Sequence, residues 1–288
     1  MIPVLFFLNE DHANNPLITT MEFANYLSSD PRFSVKLETK RNIELVDWAK
    51  IIFNRHMPEE NQEFLEVYDS LKKTHPDKLY INSPLAIASD SKSNLLQFIN
   101  KGIMVDSLIS DNPSALSLFA QEYNKVVVKP LDGYAGKGIS LVPTPGRSLT
   151  ELEDIFYGQT QGGSQEVLVQ RFIDEISTLG DKRVNVLFYE PISAALRLPK
   201  EGSFLAHTTR GGRTFPVEIS NRDREIIDVI RPYLKEIEAP WAGVDIIGPY
   251  LSEINLSCPG FCHADRLNKN NRTKDYLVTK LLEYSVEK

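Results

Sequence analysis

Along the first ninety residues the apolar positions alternate between two textures. Residues 3–8 (PVLFFL) form a continuous apolar run, the pattern of a strand covered on both faces. Residues 17–27 place Ile18, Met21 and the run 23–27 at helical spacing, and residues 34–38 (SVKLE) alternate as a strand. Ile51, Ile52 and Phe53 make another short strand, residues 59–73 read as an amphipathic helix, and residues 78–81 as a further strand. Strand and helix in alternation predict a parallel sheet wrapped by helices.

The second stretch changes texture. Residues 90–100 predict a helix that Gly102 ends, 105–109 a short connector, and Asp111-Asn112-Pro113 a helix start that carries to Tyr123. A strand at 125–129, a glycine-rich loop at 132–138 and a strand at 139–142 follow. Further strands are expected at 166–170, 183–189, 192–198, 244–247 and 251–254. A helix over 221–236 carries Ile226, Val229 and Ile230 on one face, with Pro232 expected to bend it, and the polar, glycine-rich 158–164 reads as a mobile loop. The fold class is therefore mixed: a small parallel α/β domain over 1–88, then an α+β part divided at about 180 into 89–180 and 181–288.

Composition narrows the function classes. With 288 residues, 42% of them hydrophobic, the chain buries one or two solid cores, and no apolar run spans a bilayer. Met1-Ile2-Pro3 leads straight into a strand without a basic segment, so no signal peptide is expected. A net charge of −7 disfavours a broad nucleic-acid-binding face but leaves room for a local anion site. The two cysteines, Cys258 and Cys262, fit no metal-binding spacing even with His263, and read as ordinary thiols in a reducing cytoplasm. Trp48 and Trp241 fit either a core or a homo-oligomer interface.

Three features carry candidate chemistry. In VVVKPLDGYAGKGI (126–139), Lys129 ends a buried strand and Gly133, Gly136 and Gly138 follow. Glycines let backbone N–H groups turn onto a phosphate and lysine adds a point charge, although neither a Walker A nor a dinucleotide fingerprint is matched and a plain hairpin loop would read the same. Next, GVDIIG (243–248) and LSEIN (251–255) make a hairpin on which Glu253 and Asn255 share a face and Asp245 lies across the turn, an oxygen set suited to Mg²⁺. Third, Arg183, Arg197, Arg210 and Arg213 offer planar cations for a carboxylate or acyl phosphate.

In this order, KPLDG (129–133), GDKRV (180–184), GGR (211–213) and GVDIIG with LSEIN resemble the ATP-grasp superfamily, and within it the bacterial glutathione synthetase family, from Ile51 to about Pro259. The resemblance implies an ATP-grasp fold behind a pre-ATP-grasp domain, with ATP held between two antiparallel sheets. It implies that Lys92 and Lys129 contact phosphates and that the loop with Asp132, Gly133, Gly136, Lys137 and Gly138 closes over them. Gln170, Arg171, Phe172 and Ile173 would hold adenine, with Asp181 and Lys182 beside the nucleotide. Asp245, Glu253 and Asn255 would bind Mg²⁺, with Mn²⁺ as the alternative ion, and Arg213 would act with Lys129 on the acyl phosphate. Arg55, Arg197, Arg210 and Ser257 would face the amino-acid or peptide substrates. The implied reaction joins a carboxylate to an amine through an acyl phosphate; a small-molecule kinase and a silent ATP-binding module are the other readings.

The substrate-facing parts depart from the family. Residues 202–209 lack the arginine expected before Gly-Gly-Arg, with Arg210 close by. A threonine-rich segment after Asn255 is replaced by LSCPGFCH (256–263), and residues 9–15 also differ. Nucleotide parts retained beside altered substrate parts point to a ligase whose pair need not be γ-glutamylcysteine and glycine.

Overall fold

The computed structural model describes residues 1–8, 19–39, 43–55, 62–131, 137–206, 211–260 and 262–287. The first part is the expected parallel sheet. Strands β1 (Ile2–Leu8), β2 (Phe33–Glu38), β3 (Ile51–Arg55) and β4 (Leu79–Ile81) lie in the order β2-β1-β3-β4, all parallel. Helices α1 (Thr19–Ser28), α2 (Ile43–Trp48), α3 (Gln62–Thr74) and α4 (Pro84–Ala88) connect or follow them. Successive side chains of β1 point to opposite faces, and both faces are covered. Val4, Phe6 and Leu8 join a core with Phe23, Leu27, Phe53 and Trp241, while Leu5 and Phe7 pack with Val46, Ile52 and Tyr68. That is why the strand reads as an unbroken apolar run. Trp241 is core, and Trp48 lies under the Lys36 ammonium at 4.3 Å.

The second sheet has the order β5-β8-β6-β7, built from β5 (Ser107–Ser110), β6 (Lys125–Pro130), β7 (Ser140–Pro143) and β8 (Val167–Arg171), with all pairs antiparallel. Helices α5 (Pro113–Gln121) and α6 (Leu149–Gln159) cover one face. Asn112 caps α5 ahead of Pro113, as its sequence implies. The third sheet follows the short helix α7 (Ile176–Leu179). Its order is β11-β10-β9-β12-β13, from β9 (Asp181–Leu187), β10 (Glu190–Leu198), β11 (Arg213–Pro216), β12 (Trp241–Ile247) and β13 (Tyr250–Asn255). Helix α8 (Asn221–Glu236) packs Ile226, Ile227, Ile230 and Leu234 against it, and α9 (Cys262–Asn268) and α10 (Arg272–Glu287) close the chain.

Several expectations change. The connector at 105–109 is instead the edge strand β5, half-buried and paired to β8; its SLIS sequence has too little apolar alternation to announce a strand. The helix at 90–100 is a 3₁₀ helix (Lys92–Lys101) that Gly102 ends at φ 69°. Helix α8 runs through Pro232 as one 16-residue element. Residues 158–164 are not a loose loop: Gly162 N–H donates to the Tyr157 carbonyl at 2.8 Å and the Thr160 hydroxyl to that of Phe156 at 2.8 Å.

Asn82 pins the first part to the third. Its side-chain N–H₂ donates to the carbonyls of Trp241 and Leu256, both at 2.6 Å, and its oxygen accepts from Trp241 N–H at 2.9 Å, all buried. Asn82→Ala strands three backbone groups at once. We expect a loss of about 3 kcal/mol, the scale for buried polar groups left unpaired, read as a lower urea midpoint with unchanged m-value.

Candidate active site

A cavity of about 170 Å³ lies between the second and third sheets. Its apolar walls come from Val105, Val127, Ile139, Phe172, Ile173, Phe204 and Leu251, and Phe172 meets Phe204 edge-on at 5.9 Å. The opposite end is charged. Among the described lining residues, Lys92, Lys129, Arg171, Arg183 and Arg197 face Asp181, Asp245 and Glu253, five cations against three anions. A concave, low-dielectric pocket with that excess is built for a polyanion.

Strand register creates the charged end. Asp245 of β12 sits opposite Arg183 of β9 and Glu253 of β13, while Arg197 of β10 sits opposite Asp181. Arg183 grips Asp245 through Nε at 2.5 Å and Nη2 at 2.9 Å, and Arg197 Nη2 reaches Asp245 at 2.7 Å and Asp181 at 2.5 Å. Burial opposes ionisation of Asp245, but the two guanidiniums overcome it and hold its carboxyl well below the usual range. Asp181 shows the opposite balance: burial, with Asp245 nearby, outweighs Arg197 and pushes it up to about 7. Asn255 Nδ2 donates to the Gly243 carbonyl at 3.0 Å and to Asp245 at 3.3 Å, so its carbonyl oxygen is the pole left for another partner.

A bulge adds a residue that the sequence did not announce. Asp245 pairs with Glu253 but Ile246 with Leu251, leaving Ser252 as the extra residue. Ser252 and Glu253 therefore both reach the cavity. Lys129, buried on β6, donates to Ser252 Oγ at 3.4 Å, and burial pulls its pKa down. Lys92 stands 3.3 Å from Glu253. Among the described residues no three His, Cys, Asp or Glu side chains make a metal cage. Asp245, Glu253 and the Asn255 carbonyl still fit Mg²⁺, which prefers a few oxygen ligands completed by water and phosphate.

The other expected residues divide clearly. Gln170, Arg171, Phe172 and Ile173 line the cavity, with Gln170 Nε2 donating to Ser107 at 2.8 Å. Lys182 does not join them: on β9 it points to the opposite face from Asp181 and Arg183, and its ammonium pairs with Asp223 of α8 at 2.6 Å. Lys137 is exposed, and Gly138 is required by shape, because at φ +71° a Cβ would lie 2.6 Å from Pro130. Arg213 is exposed at the start of β11, over the Phe215 ring at 5.6 Å. Ser257 is buried with its N–H donating to Asp90 at 2.7 Å. Asp132, Gly133, Gly136 and Arg210 lie outside the described residues.

Arg55 is buried and is not among the residues that line this cavity. It stacks on Trp241 at 4.4 Å and donates to Thr20 Oγ1 at 2.9 Å and the Pro259 carbonyl at 3.0 Å, with no carboxylate partner among the described residues. Neither thiol is in a disulfide; Cys258 is half-buried and Cys262 fully buried, its pKa pushed up to about 12 chiefly by burial. Cys262 is thus a neutral thiol at physiological pH. We expect a thiol-disulfide reagent to count one group, Cys258, in native protein and both after denaturation.

Residues 92–269 match the family model described as prokaryotic glutathione synthetase, ATP-grasp domain. A glutathione synthetase of Prochlorococcus marinus is 33% identical over 245 residues, covering 84% of this chain and 77% of that protein. Among solved structures, a Chryseobacterium gregarium RiPP-associated ATP-grasp ligase, determined with ADP and leader and core peptides, superposes with a TM-score of 0.70 at 16% identity, covering 98% of this chain and 97% of that one. The D-alanine–D-alanine ligase of Bacillus anthracis does so with a TM-score of 0.64 at 12% identity, over all of both chains.

The three-sheet architecture is thus the ATP-grasp fold, and the protein is an ATP-dependent ligase that joins a carboxylate to an amine. The chain belongs to the prokaryotic glutathione synthetase family.

Proposed function

We propose that the chain uses Mg²⁺ and ATP, in the cytoplasm, to join γ-glutamylcysteine and glycine or a related pair of amino-acid or peptide substrates. The observation that carries this reading is the cation-rich cavity facing the Asp245–Glu253–Asn255 hairpin between two antiparallel sheets. The three-part division at about residues 88 and 180 belongs to the same proposal: substrates enter against 1–88, and the other two parts hold the nucleotide.

Adenine lies between the apolar walls, with Gln170 to Ile173 along one edge. Lys129 holds phosphate oxygens, and Lys92, now 3.3 Å from Glu253, lies where it can join it on them, which would leave Glu253 available to a metal. Asp245, Glu253 and Asn255 would hold Mg²⁺, which when bound would supply Lewis-acid neutralisation of phosphate charge. A carboxylate oxygen of the first substrate attacks the γ-phosphorus and the bond to ADP breaks with its electron pair leaving on ADP; Arg183 and Arg197 hold that carboxylate and the acyl phosphate it becomes. Arg213 and Arg210 act from the rim. Attack by the neutral amine on the acyl carbon forms the C–N bond, the C–O bond to phosphate breaks with its electron pair leaving on phosphate, and the nitrogen gives up one proton to the departing phosphate or solvent. The chain's part is positioning and charge neutralisation.

The test is ADP release with ATP and Mg²⁺ across a panel of carboxylate and amine pairs that includes γ-glutamylcysteine with glycine. The expected result is release that needs both partners and disappears in Glu253→Ala. Release without any amine would establish the kinase reading, and nucleotide binding without turnover the silent one.

A further inference from the structure

A second cavity, of about 150 Å³, opens on the far side of the arginine pair. Residues 181, 183 and 185 of β9 face the same way, so one sheet face carries the nucleotide cavity at its Asp181 end and continues towards α9. Arg183 and Arg197 line both cavities and stand between them. Beyond them the walls are small, from Ala195, Gly260 and Ala264, and three polar side chains remain, Asn185, Thr214 and His263; Asn185 Nδ2 already donates to Ser193 Oγ at 2.8 Å. Thr214 sits opposite Arg197 on β11; its hydroxyl is buried with no hydrogen-bond partner among the described residues, and the same holds for Arg197 Nε. His263 is held in its neutral form by partial burial, with Arg266 and Arg197 adding to the effect, so it offers an acceptor nitrogen beside the Thr214 donor.

The two ends impose different tasks. The carboxylate to be activated must reach the phosphates, at the Lys92–Lys129–Glu253 end. Its partner in the new bond approaches from the other side of the arginines, and whatever that partner carries beyond its amine lies in the second cavity. Glycine would bring only its α-carbon and carboxylate here; at about 30 Å³ of liquid volume per water, a space of about 150 Å³ has room for the few heavy atoms of a short side chain besides.

We propose that the second cavity is a side-chain pocket for the amine substrate, which is therefore an α-amino acid with a short polar side chain (hydroxyl, thiol or carboxamide) and not glycine. This rests on the ligase reading above and specifies its acceptor. The small walls take the side chain's carbons, and Thr214 with His263 pairs its polar tip. One methylene of fit is worth roughly 10–200-fold in selectivity.

Two readouts on the full chain test it. Calorimetry measures binding of glycine, alanine, serine, cysteine and asparagine to protein loaded with a non-hydrolysable ATP analogue and Mg²⁺. ADP release gives kcat/KM for the same amines with each carboxylate of the panel. The expected result is that at least one polar amino acid exceeds glycine by ~10-fold or more. Thr214→Val, which removes only the hydroxyl, should erase most of that polar amine's advantage over alanine. Ala264→Val, which narrows the pocket, should shift preference towards glycine. Neither should alter affinity for the ATP analogue, and a merely structural role would depress all amines alike. Glycine preferred over every other amine, or calorimetric selectivity untouched by Thr214→Val, would overturn the proposal. Failure of the ligase reading shows itself separately, as the absence of amine-dependent ADP release with any pair.

Discussion

Asp245→Asn should abolish turnover and also weaken the nucleotide-free fold. The carboxylate neutralises Arg183 and half of Arg197 inside the protein, and removing one member of a buried ion pair costs ~3–5 kcal/mol. Arg197 keeps Asp181, so the loss belongs at the lower end, about 3 kcal/mol. Loss of this proposed metal ligand should lower kcat by at least ~10³-fold, beyond the ~10²–10³ attributed to one transition-state donor. The pH dependence follows from the depressed carboxyl: its contribution is present above the unfolded value of about 3.9 and fades only as pH falls towards the far lower folded value. The gap in stability between wild type and variant should therefore widen as pH falls from neutral to mildly acid, because protonation of Asp181 ends its repulsion with Asp245 in wild type alone, and close only in strong acid. ATP with a chelator present should raise the melting temperature of the variant more than that of wild type, because phosphate replaces the missing anion. Equal ATP effects in the two proteins would mean that the arginines do not face the phosphates.

How much of this was legible in the sequence depended on whether a signal was local. The parallel first sheet was plain because β1 is apolar on both faces, and capping chemistry at Asn112 and the left-handed Gly102 placed two boundaries. Strand β5 was missed because SLIS owes its state to pairing with β8, and α10 because TKDYLVTKLLEY owes its burial to distant partners such as Phe23 and Trp241. At the site, the Asp245–Glu253–Asn255 face followed from strand alternation. The same rule, applied to GDKR, would have sent Lys182 away from Asp181 and Arg183; the family resemblance placed it beside the nucleotide, and the structure puts it against Asp223. Ser252 was invisible because a bulge is a register event between two strands, and nothing in LSEIN alone announces it. The partnership of Arg183 and Arg197 with Asp245 needed three strands at once.

Lys129→Met should separate stability from function in opposite directions. The ammonium is buried on a central strand, its hydrogen-bond partner among the described residues is the Ser252 hydroxyl at 3.4 Å, and burial pulls its pKa below the ordinary lysine value. A charge so placed costs stability when no ligand is present, because burial disfavours an ion that no paired carboxylate among the described residues compensates, and an apolar side chain of similar length removes that cost. We expect the variant to melt higher than wild type without nucleotide. A depressed folded pKa means that wild type is penalised below that pKa and recovers as pH rises through it towards the unfolded value of about 10.4; the variant's advantage should therefore be full at neutral pH and shrink in alkali. With ATP and Mg²⁺ the order should reverse. The variant loses the point charge on the phosphates, so kcat/KM should fall by ~10²–10³ and the nucleotide-induced rise in melting temperature should largely vanish. Arginine should not rescue it, since a planar fork does not fit where a compact ammonium sits against Ser252. A variant that is destabilised yet binds ATP normally would make Lys129 a structural residue of the second sheet and remove the main cation from the proposed phosphate site; a stabilised variant that no longer responds to ATP would show that the strand carries this charge for the nucleotide alone.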